Sequence, residues 1–475
     1  MIPQENNELG SSSQASSSSQ QSNSNTIVGE SGTLRASLSS SNLLSMLQPS
    51  QRFETLEDIV NRKKQELKTK FEEIDLDKDG FITQEDLKRY LSKFGFSRCP
   101  IICHGGRMTF VEFTQWMTSD KPNILQKSFT GQLAIPNFQD FCKDLSKMFA
   151  LVHQNDKGIL PDYIPELANA DPSLFGLSLC SVDGQVAHFG NGTKKVFTLQ
   201  HCVLPILYCL AREQGADLHQ FIGREPSGLK FNAFSLNEEK KPHNPFVSTG
   251  GLVCASQIQP KNSSSKRFTN IYQFIQKMAG CPTTLDSNED SSQISYSQCT
   301  YLSEKEHNDR NRALVYFMRS NGVKGITQDD GCDINDVLDF YVQTNSISCT
   351  TRELSIIAST LANSGICPIT GERCINDIHT VRDCLSLLYS CGMYDYSGTW
   401  AFTVGLPAKS GVSGCLMIIV PNVCGMAIYS PLVDKKGHSV RAVEICQMMS
   451  RKYNLSIFGG LMSGKLYNRK HNVFQ

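Results

Sequence analysis

No run of about 18 or more apolar residues occurs along the 475-residue chain, so no helical membrane span is expected. A charge excess is also missing. Lys+Arg and Asp+Glu both count 46, so no overall field favours nucleic acid or an anionic lipid surface. The 18 cysteines follow no repeated spacing, which reads as free thiols in a reducing compartment and not as a disulfide framework. The nearest approach to a metal cluster of the zinc type, Cys99-x-x-x-Cys103-His104, lacks a second ligand pair and is read as structural. No basic segment followed by an apolar core opens the chain, which argues against secretion. Glu5, Glu8 and Glu30 against the single Arg35 are equally unlike an Arg-rich mitochondrial presequence, so a cytoplasmic location is expected.

What is present divides into four stretches. Residues 1–50 are rich in Ser, Gln and Asn and are expected to be a disordered tail, because they bury too little apolar area to offset the entropy of ordering. From Thr55, apolar residues Leu56, Ile59, Val60, Leu67, Phe71 and Ile74 recur at helical spacing. That helix runs into Asp75-Leu-Asp77-Lys-Asp79-Gly80-Phe-Ile82-Thr-Gln-Glu-Asp86. This is EF-hand loop spacing, with Asp75, Asp77, Asp79 and Asp86 as candidate calcium ligands. Asp86 is shorter than the Glu that usually closes such a loop, which weakens calcium or favours magnesium. A second loop near Met108–Phe113 has lost its carboxylates but kept the partner's apolar pattern. Helices follow at about 121–129 and 136–152, so residues 51–152 are read as an EF-hand-like helical domain.

Residues 155–460 mix both periodicities, and residues 461–475 are read as a tail. Strands Leu177–Val182 and Gln185–Phe189 flank Asp183-Gly184, a favoured hairpin turn. A second hairpin is expected from Gly414–Val420 and Gly425–Ser430. Between them helices are expected at Ser265–Ala279, Glu304–Ser320, Ile334–Thr344, Thr351–Asn363 and Asn376–Ser390, with a last one at Val440–Tyr453. Strands at both ends with helices between make an α+β domain whose sheet pairs the first and last strands.

The stretch Phe197–Tyr208 leads an apolar strand into an apolar helix whose first turn carries His201 and Cys202. Free N–H groups at such a helix start suit a developing negative charge. Elsewhere short polar motifs interrupt apolar surroundings, among them Asp162-Tyr163, Glu304 with Asn311, Asp339-Phe-Tyr341, Tyr394-Asp-Tyr396 and Lys409-Ser-Gly. Glu304 and Asn311 lie seven apart and would share one helix face, where a carboxylate and an amide can hold the two ends of an amino acid. Lys409-Ser-Gly at a strand start has the form of the K-[ST]-G motif of serine-dependent acyl-transfer enzymes.

Taken together, DYIPELA, REPSGLKFN, LNEEKKPHNP, LDFY, TLANSGICPITGER, SCGMYDYSG and VGLPAKSGVSG closely resemble the serine-dependent glutaminases of animals and bacteria. The resemblance implies a β-lactamase/DD-peptidase-like catalytic domain, an antiparallel sheet with a helical subdomain, that hydrolyses L-glutamine to L-glutamate and ammonia. It implies no cofactor for the chemistry, homodimers or homotetramers with the loop Phe231–Asn237 at an interface, phosphate as a possible activator, and mitochondria as an alternative location. The ankyrin repeats often found in the family are not expected in residues 461–475. Carried over residue by residue, Tyr163, Glu304, Asn311, Tyr341 and Tyr394 match the glutamine-binding shell, Tyr163 and Tyr394 standing beside the chemistry as well. Val412 matches an oxyanion-hole position that is shared with the N–H of position 201. Three positions depart from the pattern. His201 stands where the nucleophilic Ser is expected, Leu204 where its Lys base is expected, and Ser248 where a substrate-holding Asn is expected. Three readings remain open: a glutaminase with an altered and weakened site, a non-catalytic glutamine- or glutamate-binding partner of an active paralogue, and a calcium-responsive scaffold.

Overall fold

The computed structural model describes residues 55–99, 101, 106–119, 123–281, 293–327 and 333–459. The tails expected at 1–50 and 461–475, and the Cys103-His104 pair, lie outside the described residues. Helix α1 (Leu56–Ile74) leads through the acidic loop to strand β1 (Phe81–Thr83) and helix α2 (Gln84–Ser92). Strand β2 (Arg107–Thr109) and α3 (Phe110–Met117) repeat the pattern, and the two strands pair antiparallel with Ile82 opposite Met108. Thr83 and Thr109 each form a capping box with the residue three positions on, which starts α2 and α3 where strand becomes helix. Helices α4 (Ile124–Phe129) and α5 (Phe138–Val152) follow.

Five strands build the central antiparallel sheet: β3 (Gly176–Ser181), β4 (Val186–Phe189), and later β8 (Ala408–Ser410), β9 (Cys415–Val420) and β10 (Cys424–Tyr429), in spatial order β4-β3-β10-β9-β8. Both expected hairpins form, and the expected pairing of first and last strands is the β3–β10 ladder, with Leu177 opposite Ile428. Strands β3, β9 and β10 are buried along their whole length. Alternate residues feed two different cores. Leu177, Leu179, Leu416, Ile418, Met426 and Ile428 pack with α5, while Cys180, Met417, Ile419, Ala427 and Tyr429 face the helical lobe. With both faces covered, β9 and β10 read as nearly continuous apolar runs, while β3 carries Ser178 and Ser181. Helix α12 (Thr351–Ala362) lies directly on β10. A Cβ added at Gly425 would stand 2.1 Å from the Ser359 nitrogen, so only glycine admits this approach.

The helical lobe contains α6 (Leu204–Glu213), α7 (Ser248–Ser256), α8 (Ser264–Met278), α9 (Gln298–Glu306), α10 (Asp309–Ser320), α11 (Ile334–Asn345), α12 (Thr351–Ala362), α13 (Ile378–Cys391) and α14 (Ser397–Thr403). Small strands β5 (Phe197–Thr198), β6 (Ser295–Tyr296) and β7 (Ile347–Cys349) form a second sheet in the order β5-β7-β6, and α15 (Val440–Tyr453) packs with α5. One helix expectation is corrected. The single helix foreseen over Glu304–Ser320 is two, α9 and α10, broken at His307 and Asn308, whose backbones leave helical geometry (ψ 27 and 18). Glu304 and Asn311 therefore project from different helices and not from one face.

Candidate active site

Strand β5 ends in the short 3₁₀ turn Gln200–Val203, which feeds α6. The turn opens with Gln200 in the left-handed region (φ 47), a strained start that sets the direction of the next side chain. That side chain is His201, 3% exposed. Its Nδ1 lies 3.1 Å from the Tyr394 hydroxyl and its Nε2 3.0 Å from the Tyr341 hydroxyl. The Tyr394 hydroxyl donates its one proton to the Ser410 carbonyl at 2.7 Å. Nδ1 must therefore carry the proton given to Tyr394, and Nε2 accepts from Tyr341. Burial, and then the charge on Lys409, hold the imidazole well below its ordinary pKa, so this neutral tautomer is the stable form.

Phe231 closes the site from above, its ring perpendicular to His201 at 4.9 Å between centroids. The same ring touches Tyr394 and Tyr163, and its carbonyl accepts from the Ser248 N–H at the start of α7. Outside it opens a vestibule of about 380 Å³, lined by Tyr163, Phe231, Val412, Asp434 and Lys436 among others. A cleft of about 640 Å³ along α13 contains none of the site residues. The Val412 N–H donates to no acceptor among the described residues. Leu204 points into the core beneath the site, where Cβ of any residue larger than glycine at position 251 would press on it at 2.7 Å.

Glu304 forms a second centre. It is 2% exposed, its carboxylate accepts from Gln200 Nε2 at 3.3 Å and Asn345 Nδ2 at 3.2 Å, and no cation pairs with it among the described residues. Burial raises its pKa to about 7 against the effect of those two amides. Around it, four buried polar atoms have no hydrogen-bond partner among the described residues: Gln200 Oε1, Ser248 Oγ, Asn311 Oδ1 and Asn345 Oδ1. Three are amide acceptors whose NH₂ groups face the other way, so the missing partner is a donor. Asn311 Nδ2 lies 3.5 Å from the Tyr163 hydroxyl, whose pKa is pushed up to about 12 by burial and then by Glu304.

The residues singled out in the sequence thus fall into one group, His201, Tyr341 and Tyr394, joined through Gln200 to Glu304 and flanked by Ser248, Asn311, Tyr163 and Val412. Sequence reasoning missed Gln200, Asn345 and the lid role of Phe231, none of which carries a local signature. It also missed His438, buried and stacked on Tyr394 with neither ring nitrogen hydrogen-bonded among the described residues. Lys409 was visible only as a motif. It is fully buried, donates to the Ser410 carbonyl at 2.7 Å, lies 4.1 Å over the Tyr394 ring, and is lowered to about 7 by burial. Cys202 turns away from the tyrosines toward the Lys409 carbonyl, with Cys415 Sγ at 3.4 Å.

In the acidic loop, ligand oxygens of Asp75, Asp77 and Asp79 lie within 4.8 Å of one another. Gly80 makes the sharp turn (φ +86) and donates to Asp75 Oδ2, while Asp75 Oδ1 is buried without a partner among the described residues. Asp86 stands outside that group, its carboxylate accepting from the Thr83 N–H and hydroxyl at 3.0 and 2.6 Å.

The glutaminase family profile matches residues 158–458. The chain is 41% identical over 354 residues to the mitochondrial liver-isoform glutaminase of Mus musculus, covering 74% of this chain and 56% of that one. The chain therefore spans just over half the length of that relative. A glutaminase of Nostoc sp. is 37% identical over 305 residues, covering 64% of this chain and 85% of that one. Among solved structures, Mglu in its tris and glutamate form superposes with a TM-score of 0.59 at 29% identity, covering 66% of this chain and 67% of that chain.

Proposed function

The chain belongs to the glutaminase family, and from that premise we propose that it keeps the family's cradle for an amino acid while having little or no power to hydrolyse glutamine. The observation that carries this is the state of His201. A hydroxyl nucleophile needs a neighbouring amine to take its proton, and here there is neither hydroxyl nor amine at positions 201 and 204. The imidazole is no substitute, because its one lone pair accepts the Tyr341 hydrogen bond. An oxyanion-type site without its nucleophile and base retains roughly 10³–10⁴-fold acceleration over water. The cradle is supported by the buried, cation-free Glu304 and the partnerless acceptors beside it, which match the needs of an ammonium group. Ammonia and glutamate release from glutamine tests the reading. Wild type should show no turnover above background, and the double variant His201→Ser with Leu204→Lys should gain it. Wild-type turnover that is abolished by His201→Ala would refute the proposal.

A second reading concerns the acidic loop. We propose that it takes a divalent cation on Asp75, Asp77 and Asp79, on the strength of the buried Asp75 oxygen that has no hydrogen-bond partner among the described residues. Because Asp86 is engaged in the cap of α2, the loop offers no bidentate closing ligand, which favours an ion that keeps its waters, magnesium over calcium. Calorimetric titration with each metal should give heat in wild type and none in Asp75→Ala. Silence in both metals would dismiss the site.

A further inference from the structure

The two ends of the site are in different states. Around Glu304 the acceptors wait for a partner, whereas at His201 every polar atom of the ring is already satisfied and the space is filled. The imidazole lies between the hydroxyls of Tyr394 and Tyr341 at 3.1 and 3.0 Å, with the Phe231 ring across it. By the resemblance described above, position 201 is where a reacting side chain would meet the far, amide end of glutamine. A ring now extends beyond Cβ there, into the volume which that amide would need. Leu204 fills the floor against Gly251 and Tyr341, so the ring cannot drop away into the core.

We infer that the ligand of this site is a small α-amino acid of the glycine, alanine and serine class, and that glutamine itself is excluded by His201. The inference rests on the proposal that the amino-acid cradle is retained, and it goes further by assigning the length of the side chain. The ammonium group goes to Glu304 and the free Asn311 Oδ1. The Tyr163 hydroxyl and Asn311 Nδ2 are the donors placed for a carboxylate. A hydrogen, a methyl or a hydroxymethyl then ends against the imidazole face. A longer chain has to displace either the imidazole, breaking both tyrosine hydrogen bonds, or Phe231, which is held to α7 through its carbonyl.

Calorimetric titration of the full chain at pH 8 with glycine, L-alanine, L-serine, L-glutamine and L-glutamate reads this out. Alanine or serine should bind at least tenfold tighter than glutamine, and Glu304→Gln should abolish binding of every one. His201→Ser should reverse the order in favour of glutamine, with His201→Ala as the alternative variant if the first fails to fold. Wild-type protein that binds glutamine as tightly as alanine overturns the inference and leaves the cradle proposal standing. If none of the five binds wild type, both fall. Unchanged preference in a folded His201→Ser or His201→Ala variant overturns the assignment of selectivity to this ring.

Discussion

A carboxylate as buried as Glu304, with only amides for company, carries a free-energy penalty whose size depends on pH. Its folded-state pKa of about 7 lies above the unfolded value, so the folded state holds the proton more tightly, and the penalty grows as pH rises from 4.5 through 7. Above that range it approaches about 3 kcal/mol. Glu304→Gln should therefore stabilise the protein in urea at pH 8 by up to about 3 kcal/mol and leave it unchanged near pH 4.5. Gln200 and Asn345 can turn their free oxygens toward the new amide. The same titration governs the ligand. Only the carboxylate attracts an ammonium, so affinity should be full above pH 7 and fall about tenfold per unit below it, in titrations across pH 5.5–8.5. Lys409 obeys the opposite sign. Burial lowers it to about 7, so its penalty is full below pH 7 and fades as pH rises from there toward 10.5. Lys409→Met should raise stability by about 2 kcal/mol at pH 7 and by much less at pH 10, since Tyr394 still serves the Ser410 carbonyl. The chain declares which residues are polar in an apolar setting, which made Glu304, Tyr341 and Tyr394 legible. It does not declare which way an amide faces, so Gln200 and Asn345 emerged only from the fold.

At the scale of elements, local chemistry was a good guide where it decides locally. Asp183-Gly184 and Pro421-Asn422 do mark their hairpins, but the register leaves three residues in each turn, Val182–Gly184 and Pro421–Val423, and both turns are tied to distant elements through Asp183 and the Asn422 N–H. The break between α9 and α10 was hidden because apolar spacing continues across His307-Asn308 and only the packing of two directions reveals the kink. Ser263, which forms an S-x-x-K pair with Lys266, is the N-cap of α8, its hydroxyl accepting from the Lys266 N–H. The seat of α12 on β10 is the tightest such junction. Gly425→Ala should cost several kcal/mol, about 3 or more, because Cβ meets helix backbone and not a movable side chain. Chemical denaturation of Gly425→Ala against Ala427→Gly, on the same strand, separates this clash from a simple change in strand propensity.

Across the molecule, the N-terminal helices are fastened to the sheet at the β3–β4 turn. Asp183 accepts from Lys127 Nζ and from the Ala134 N–H, both at 2.6 Å, and Gln185 bonds to Phe94 and Ile135. The Asp183 side chain is 7% exposed, so removing it strands a mostly buried ammonium and an amide. Asp183→Ala should cost about 3 kcal/mol and bring early proteolytic cleavage to the segment between α4 and α5, while cuts elsewhere stay slow.

The β3–β10 ladder has a consequence for how the chain is made. Strand β3 is buried on both faces, yet its central partner arrives about 250 residues later. At synthesis rates of about 5–20 residues per second, that is a wait of tens of seconds with an unpaired greasy strand in the open. The hairpin to β4 and the N-terminal helices cover one edge and one face in the meantime, but the other edge stays bare until Tyr429 has left the ribosome. Birth, for this chain, is a period of shelter: its folding yield depends on whatever shields that edge until the last third is translated.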